Sequence, residues 1–308
     1  MPANELATAE GAIARAGRLV AGQVDLDAVL RAAGRARPLA AVMPAARATV
    51  LPQGRIGIAR DAAFGFYYAE DLDMLEAEGF ALVPFDTLRD PCLPPDLDGL
   101  FLGGGFPETH MAGLEANVSL RADIRRALAG GLPTYAECGG MMYLSRSIGW
   151  AGRRAAMVGA LPADAVMGER PQGRGYAVLE ETGASPWPRP GSGGRLAAHE
   201  FHYAGLVDIA AEARFAYRVV RGHGIGGGHD GLVVGNTLAS FCHLRGVGSD
   251  PWPRRFAAFI RACRATARPA FIPWTIFEES SHDQAEYRRP QHLLPRPLDG
   301  VDRRHQAI

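Results

Sequence analysis

The sequence predicts an α/β fold: a mostly parallel sheet flanked by helices, with a sharp strand-to-helix turn carrying a cysteine. Three observations lead there. From residue 55 to residue 144, short apolar runs alternate with helical patterns, the rhythm of parallel strands joined by crossover helices. Two of those runs end in glycine clusters, Leu102-Gly103-Gly104-Gly105 and Ala136-Glu137-Cys138-Gly139-Gly140. The chain has 308 residues, 47% of them apolar, enough for a sizeable core. Ligands of such sheets bind beyond the carboxyl ends of the strands, and both glycine clusters fall at such ends.

Taken in order, residues 1–50 are rich in Ala and Arg. One amphipathic helix is expected over 17–33, with Leu19, Val20, Leu26, Val29 and Leu30 as its apolar positions. Pro38, Pro44 and Pro52 break the pattern, so this part reads as a linker with no independent domain. A single domain is expected over 51–265. Within it, 55–60 is a strand, 66–79 a helix capped by Gly79, 81–85 and 98–102 strands, and 114–129 a helix ending at Gly130-Gly131. Residues 132–136 form the strand before Cys138. After Trp150 the pattern is less regular. Strands are expected at 157–161, 176–179, 201–206, 215–220 and 238–243, loops at 185–194 and 222–231, and a last amphipathic helix at 251–264. Residues 266–308, rich in Arg, Pro and Gln, read as an extended or disordered tail.

Composition excludes several chemistries. Lys+Arg and Asp+Glu balance at 33 each, so no basic field draws nucleic acid. Every one of the basic residues is arginine. A Walker-type phosphate loop needs its lysine, and a Schiff-base enzyme needs an amine. No stretch is long and apolar enough to span a bilayer, and the N-terminus lacks a signal pattern. The four cysteines, at 92, 138, 242 and 263, show no metal-ligand spacing, so no metal site is expected. Free thiols in a reducing cytoplasm are the simplest setting.

Cys138 sits between a short apolar run and a helical pattern, the order of a nucleophile elbow. Such a turn presents the sulfur above the strand ends. The N-terminus of the following helix stabilises a thiolate. Gly139 and Gly140 let a substrate carbonyl approach backbone N–H groups closely. For a lone cysteine, a buried structural role is the commoner one. A catalytic cysteine also needs a base, usually histidine. Of the nine histidines, His243 is best placed, at the end of Leu238-Ala239-Ser240-Phe241-Cys242-His243. His110 is expected at a helix start, His199 and His202 in a strand, and His223 and His229 in a loop; His202 is the next candidate base. The glycines at 103–105 are candidate oxyanion donors, although a triple glycine alone is more often just a turn.

Four segments occur in order: Arg60-Asp61-Ala62-Ala63-Phe64-Gly65-Phe66-Tyr67-Tyr68, Leu102-Gly103-Gly104-Gly105-Phe106-Pro107-Glu108, Tyr135-Ala136-Glu137-Cys138-Gly139-Gly140-Met141-Met142-Tyr143-Leu144 and His199-Glu200-Phe201-His202-Tyr203. Together they resemble the C-terminal glutaminase half of the cobyrinic acid a,c-diamide synthase family, over about residues 55–262. The resemblance implies a class I, flavodoxin-like glutamine amidotransferase fold. It implies Cys138 as nucleophile toward the glutamine side-chain amide and His243 as base and then acid. Gly103, Gly104, Gly139 and Met142 would hold glutamine and its oxyanion. Glu200, His202 and Tyr203 are candidates for facing the acceptor or another domain, or for a buried strand whose polar residues satisfy one another. The acceptor implied is a tetrapyrrole carboxylate, activated by ATP.

The sequence departs from that family in two places. The family's N-terminal half holds ATP and Mg²⁺ on a phosphate loop; here only Leu19–Ala33 resembles that half, in its last helix. The implied form is therefore truncated, split or dependent on an ATP-binding synthetase domain or subunit, with no cofactor expected on this chain. Many class I amidotransferases also carry an acid two positions after the histidine, where this chain has Arg245. A Cys–His dyad fits, with Glu200 a candidate to orient the ring. Three functions stay open from sequence: a corrinoid a,c-diamide glutaminase, a siroheme-amidating relative, or a catalytically silent partner subunit.

Overall fold

The computed structural model describes residues 7–37, 52–188, 194–248 and 250–267. The expected proline-rich linker falls almost wholly outside them, as does the tail from 268 onward. Thr266 and Ala267, expected in that tail, instead end the last helix.

Near the N-terminus, one expected helix is two: α1 (Ala7–Gln23) and α2 (Leu26–Gly34). Asp25 makes the break. Its carboxylate accepts from the Ala28 N–H at 2.8 Å and caps α2, which favours a fresh N-terminus over continuation. Ile13, Leu19, Val20, Leu26, Val29 and Leu30 on these helices are exposed.

The expected alternation follows: β1 (Gly54–Ala59), β2 (Phe64–Phe66), α3 (Ala69–Ala77), β3 (Phe80–Phe85), β4 (Gly99–Leu102) and β5 (Gly104–Gly105). A 3₁₀ turn over Pro107–His110 leads to α4 (Met111–Ala116), α5 (Val118–Ala129), β6 (Thr134–Glu137) and α6 (Gly139–Leu144). Two expectations are corrected here. The helix expected at 66 begins at Ala69, because β2 pairs antiparallel with β5. The helix expected over 114–129 breaks at Asn117, which accepts from Leu120 N and donates to the carbonyls of Thr87 and Asp90.

Beyond residue 145 the sequence reading was weakest. No strand forms over 157–161. Instead β7 (Ser147–Trp150), β8 (Arg153–Ala156) and β9 (Asp164–Met167) build a small sheet. Its hairpin turns on Ala151 and Gly152, both at positive φ; alanine there gives none of the Asn-Gly signal that marks such a turn. β10 (Gly173–Glu181), β11 (Arg195–His202), β12 (Ala204–Val207), β13 (Arg214–Arg221), β14 (His229–Val234), β15 (Thr237–Ser240), β16 (His243–Leu244) and α7 (Trp252–Ala267) complete the described chain. The strand expected over 201–206 divides at Tyr203 between the two sheets. The loop expected over 222–231 gives way to β14 at His229.

The large sheet has ten strands in the order β16-β11-β10-β13-β14-β15-β6-β4-β1-β3. It is parallel from β15 through β6, β4 and β1 to β3, and antiparallel on the other side. Along β4, Leu100 and Leu102 face one apolar cluster with α4, α5 and α6, while Phe101 faces the other with Tyr135 and α7. The single strand expected over 238–243 is two, separated by Phe241 and Cys242. Yet β15 and β16 lie five places apart in the sheet. Two residues span only about 7 Å, so the antiparallel half must curl until its edge returns beside β15.

Candidate active site

β6 delivers Cys138 to the end of the parallel strands. Its backbone sits at φ +47°, ψ −100°, a conformation that costs a non-glycine residue roughly 1–3 kcal/mol and clusters at functional sites. Surrounding bonds hold it there: the Cys138 N–H donates to Ser240 O at 2.8 Å, and its carbonyl accepts from Met142 N at 3.1 Å. Glycine is needed on both sides of the turn. A Cβ on Gly140 would collide with the Leu102 carbonyl, and one on Gly105 with the Ala63 carbonyl. Three backbone segments thus meet around the elbow expected from sequence.

β16 brings His243 to the same place. The ring is 4% exposed and meets Phe66 edge-on, with centroids 5.3 Å apart. Burial opposes charge on this imidazole, but hydrogen bonds to Cys138 and Glu137 outweigh it and push its pKa up to about 10. The arrangement favours an imidazolium beside the sulfur, the state in which a cysteine attacks. Asp230 turns the chain from β15 into β16. This fully buried carboxylate accepts from Ser240 Oγ at 2.9 Å, Phe241 N at 3.1 Å and Cys242 N at 2.8 Å. Further on, Asp71 of α3 accepts from Gly246 N at 2.7 Å and Trp252 Nε1 at 2.9 Å.

The other expected residues divide. Gly104 lies against the His243 ring; a Cβ there would be 3.0 Å from Cε1. Gly139 opens α6 directly after Cys138. One therefore stands beside the histidine and the other beside the cysteine. Gly103 and Met142, expected to help hold glutamine and its oxyanion, have spent their N–H groups, on Tyr67 Oη at 3.1 Å and on the Cys138 carbonyl. Glu200 does not orient His243. It lies on the opposite face of β11 from His199, the residue in register with His243. It accepts from His223 N at 2.7 Å and Gly224 N at 2.8 Å. Burial pushes its pKa up, but His202 and those N–H groups hold it down at about 2. His202 is buried too, stacked 4.1 Å from Phe241 with Nδ1 at 2.7 Å from Ala204 O. Glu200 and His202 are thus both buried, while Tyr203 is 38% exposed. His110 ends the 3₁₀ turn before α4.

Sequence reading passed over Glu137, Asp230 and Asp71. The signal for the first was present: an acid at the end of an apolar strand, directly before the cysteine. Glu137 is 3% exposed. Its Oε1 accepts from Tyr135 Oη at 2.5 Å and Leu244 N at 3.1 Å, and its Oε2 lies 3.3 Å from His243 Nδ1.

A cysteine on a strained turn at the end of the parallel strands, with a buried histidine against it, is an arrangement that a nucleophilic cysteine in an α/β enzyme would need. The chain belongs to the CobB/CobQ-like glutamine amidotransferase domain family, whose pattern matches residues 55–249. It is similar to the cobyrinate a,c-diamide synthase of Magnetococcus marinus, 40% identical over 275 residues that cover 87% of this chain and 58% of that protein. It is also similar to the cobyrinate a,c-diamide synthase of Methanosarcina acetivorans, 41% identical over 242 residues covering 73% of this chain and 48% of that protein. The chain spans about half the length of the curated relatives it matches. Among solved structures, one from Thermotoga maritima PurLQS superposes with a TM-score of 0.53 at 16% identity, over 68% of this chain and 99% of that one, a likeness of fold. Among the described residues no helix is long and apolar enough to cross a membrane.

Proposed function

We propose that this chain is the glutaminase component of an ATP-dependent amidoligase acting on tetrapyrrole carboxylates, as in a,c-diamide formation on cobyrinic or hydrogenobyrinic acid. The observation that carries the reading is Cys138 at positive φ, on the turn that ends β6, with the buried His243 ring beside it. Cys138 sulfur attacks the glutamine carboxamide carbon, and the oxyanion forms beside Gly104 and Gly139. The C–N bond breaks as His243 gives its proton to the leaving nitrogen, producing ammonia and a glutamyl thioester. Water, deprotonated by His243, then attacks the thioester carbonyl, and glutamate leaves as the thiolate is restored.

The described residues do not suit ATP or Mg²⁺. The glycine run at 222–228 leads into strand β14, whereas a phosphate cradle needs a helix N-terminus behind it. No group of three or more His, Cys, Asp or Glu among the described residues could hold a metal ion. The reading therefore assigns activation of the acceptor carboxylate to an ATP-binding synthetase domain or subunit. The longer relatives and the exposed apolar side chains of α1 and α2 support such a partner.

Diazo-oxo-norleucine, a glutamine-derived electrophile, should add mass at Cys138 and not at Cys92, Cys242 or Cys263. Labelling spread over all four would reject the nucleophile. The purified chain should give no calorimetric signal with millimolar Mg-ATP and no tetrapyrrole amide, while an N-terminal half supplied in trans should restore amidation. ATP-dependent amide formation by the chain alone would overturn the division of labour.

A further inference from the structure

The geometry points to Glu137 as the positioning residue for His243, taking over from within the elbow strand the task that an acid two places after the histidine would perform. This rests on the glutaminase reading for its chemistry, but not for its test. The position after the histidine is closed to that task. Arg245 there points away, its guanidinium 4.8 Å over the Tyr68 ring and 3.7 Å from Glu70. The described surroundings of His243 offer one carboxylate within reach of its ring nitrogens, Glu137 at 3.3 Å from Nδ1. The other groups packed on the ring are Cys138, Phe66, His199 with its centroid 6.3 Å away, and the Gly104 backbone.

Both oxygens of Glu137 are committed. Oε1 is pinned by two donors, the Tyr135 hydroxyl two residues back on the same face of β6 and the Leu244 N–H beside the histidine. That leaves Oε2 aimed at Nδ1. A carboxylate there keeps the proton on Nδ1, so Nε2 is the nitrogen free to exchange a proton with the cysteine sulfur. Because Leu244 N and His243 Nδ1 bind the same carboxylate, backbone and ring are fixed together. The nucleophile and the group that aims its base are then consecutive residues, so one strand end sets both.

The test reads the pair by two routes. Glutamate release should fall roughly 10²–10⁴-fold in kcat in Glu137→Gln, with little change in KM. The Gln side chain keeps one acceptor for Tyr135 and Leu244, but presents an amide donor to Nδ1 and favours the wrong tautomer. Independently of glutamine, iodoacetamide alkylation of Cys138, followed by mass spectrometry from pH 5 to 9, should slow at least about tenfold at pH 7. Its acidic limb should move to higher pH, and Glu137→Asp should recover part of the loss. An unchanged alkylation profile in a folded Glu137→Gln protein would overturn the inference even if glutamine hydrolysis were never detected. Absent diazo-oxo-norleucine labelling with a shifted profile would instead reject only the glutaminase reading. Should Glu137→Gln not fold, ¹⁵N-histidine NMR of the unsubstituted chain decides. A far-downfield proton on His243 Nδ1, missing in His243→Gln, is expected; an Nδ1 without a proton would refute the assignment.

Discussion

The two halves of the large sheet place their reactive groups by different means. In the parallel half, the elements that carry Cys138 are consecutive in sequence, strand β6, the turn, two glycines and α6, and distant backbone at Ser240, Leu102 and Ala63 closes around them. In the antiparallel half, His243 depends on partners far away along the chain: Asp230 at the turn, His199 in register on β11, Glu137 across the site and Asp71 on α3. The first half is announced by local pattern, the second only by convergence. A lesion in the first should therefore act at its own position, and a lesion in the second at a distance.

The largest expected effect tests the first half alone. Cys138→Ala should abolish glutamate release and diazo-oxo-norleucine labelling with the fold intact by circular dichroism; residual turnover would separate the elbow from the chemistry. His243→Ala should cost about 10²–10⁴-fold in kcat, and normal turnover would remove His243 as the base.

Asp230→Ala sharpens the contrast. It strands the Phe241 and Cys242 N–H groups, at about 1–3 kcal/mol for each buried donor left unpaired, and should lower kcat without touching the site. Leu120→Ala, on α5 beneath the parallel half, should cost about 2–5 kcal/mol in urea unfolding while kcat is kept. If the two variants lose kcat alike in proportion to stability, the halves do not differ in the way proposed.

The smallest effect is a pH dependence. The folded pKa of His243, at about 10, lies above the ordinary 6.5. Its contribution to stability is present in full below pH 6.5 and is lost as pH rises through 10. The difference in Tm between the natural chain and His243→Gln should therefore shrink from pH 7 to pH 10. A constant difference would mean that the imidazolium is not held.

The same contrast explains what was legible in the sequence. The parallel strands, their helices and the elbow could be read because each is announced by period and glycine within a dozen residues. His243 could be chosen among the histidines, but as the end of one strand, not as the start of another. Nothing local in Phe241-Cys242 says that the chain leaves the sheet and re-enters at its other edge; that is written in Asp230. Glu200 was attractive as a charged neighbour of histidines, yet strand alternation turns it to the other face. Glu137 was passed over because its partner lies 106 positions away. Gly103 and Met142 were assigned by likeness, and what the sequence could not show is that their N–H groups are engaged by Tyr67 and Cys138.

The Asp71 contacts carry a consequence for how the protein is made. Asp71 bonds Gly246 and Trp252, 175 and 181 positions further along. On the ribosome, where domains form from the N-terminus onward, residue 144 emerges well before Ser240, whose carbonyl accepts the Cys138 N–H, and before the strand that carries the base. The strand that carries the base reaches its partners on β6, β11 and α3 only as residues 240–252 follow. A chain terminated before residue 240 therefore lacks both the bond that holds the cysteine turn and the base that stands beside it.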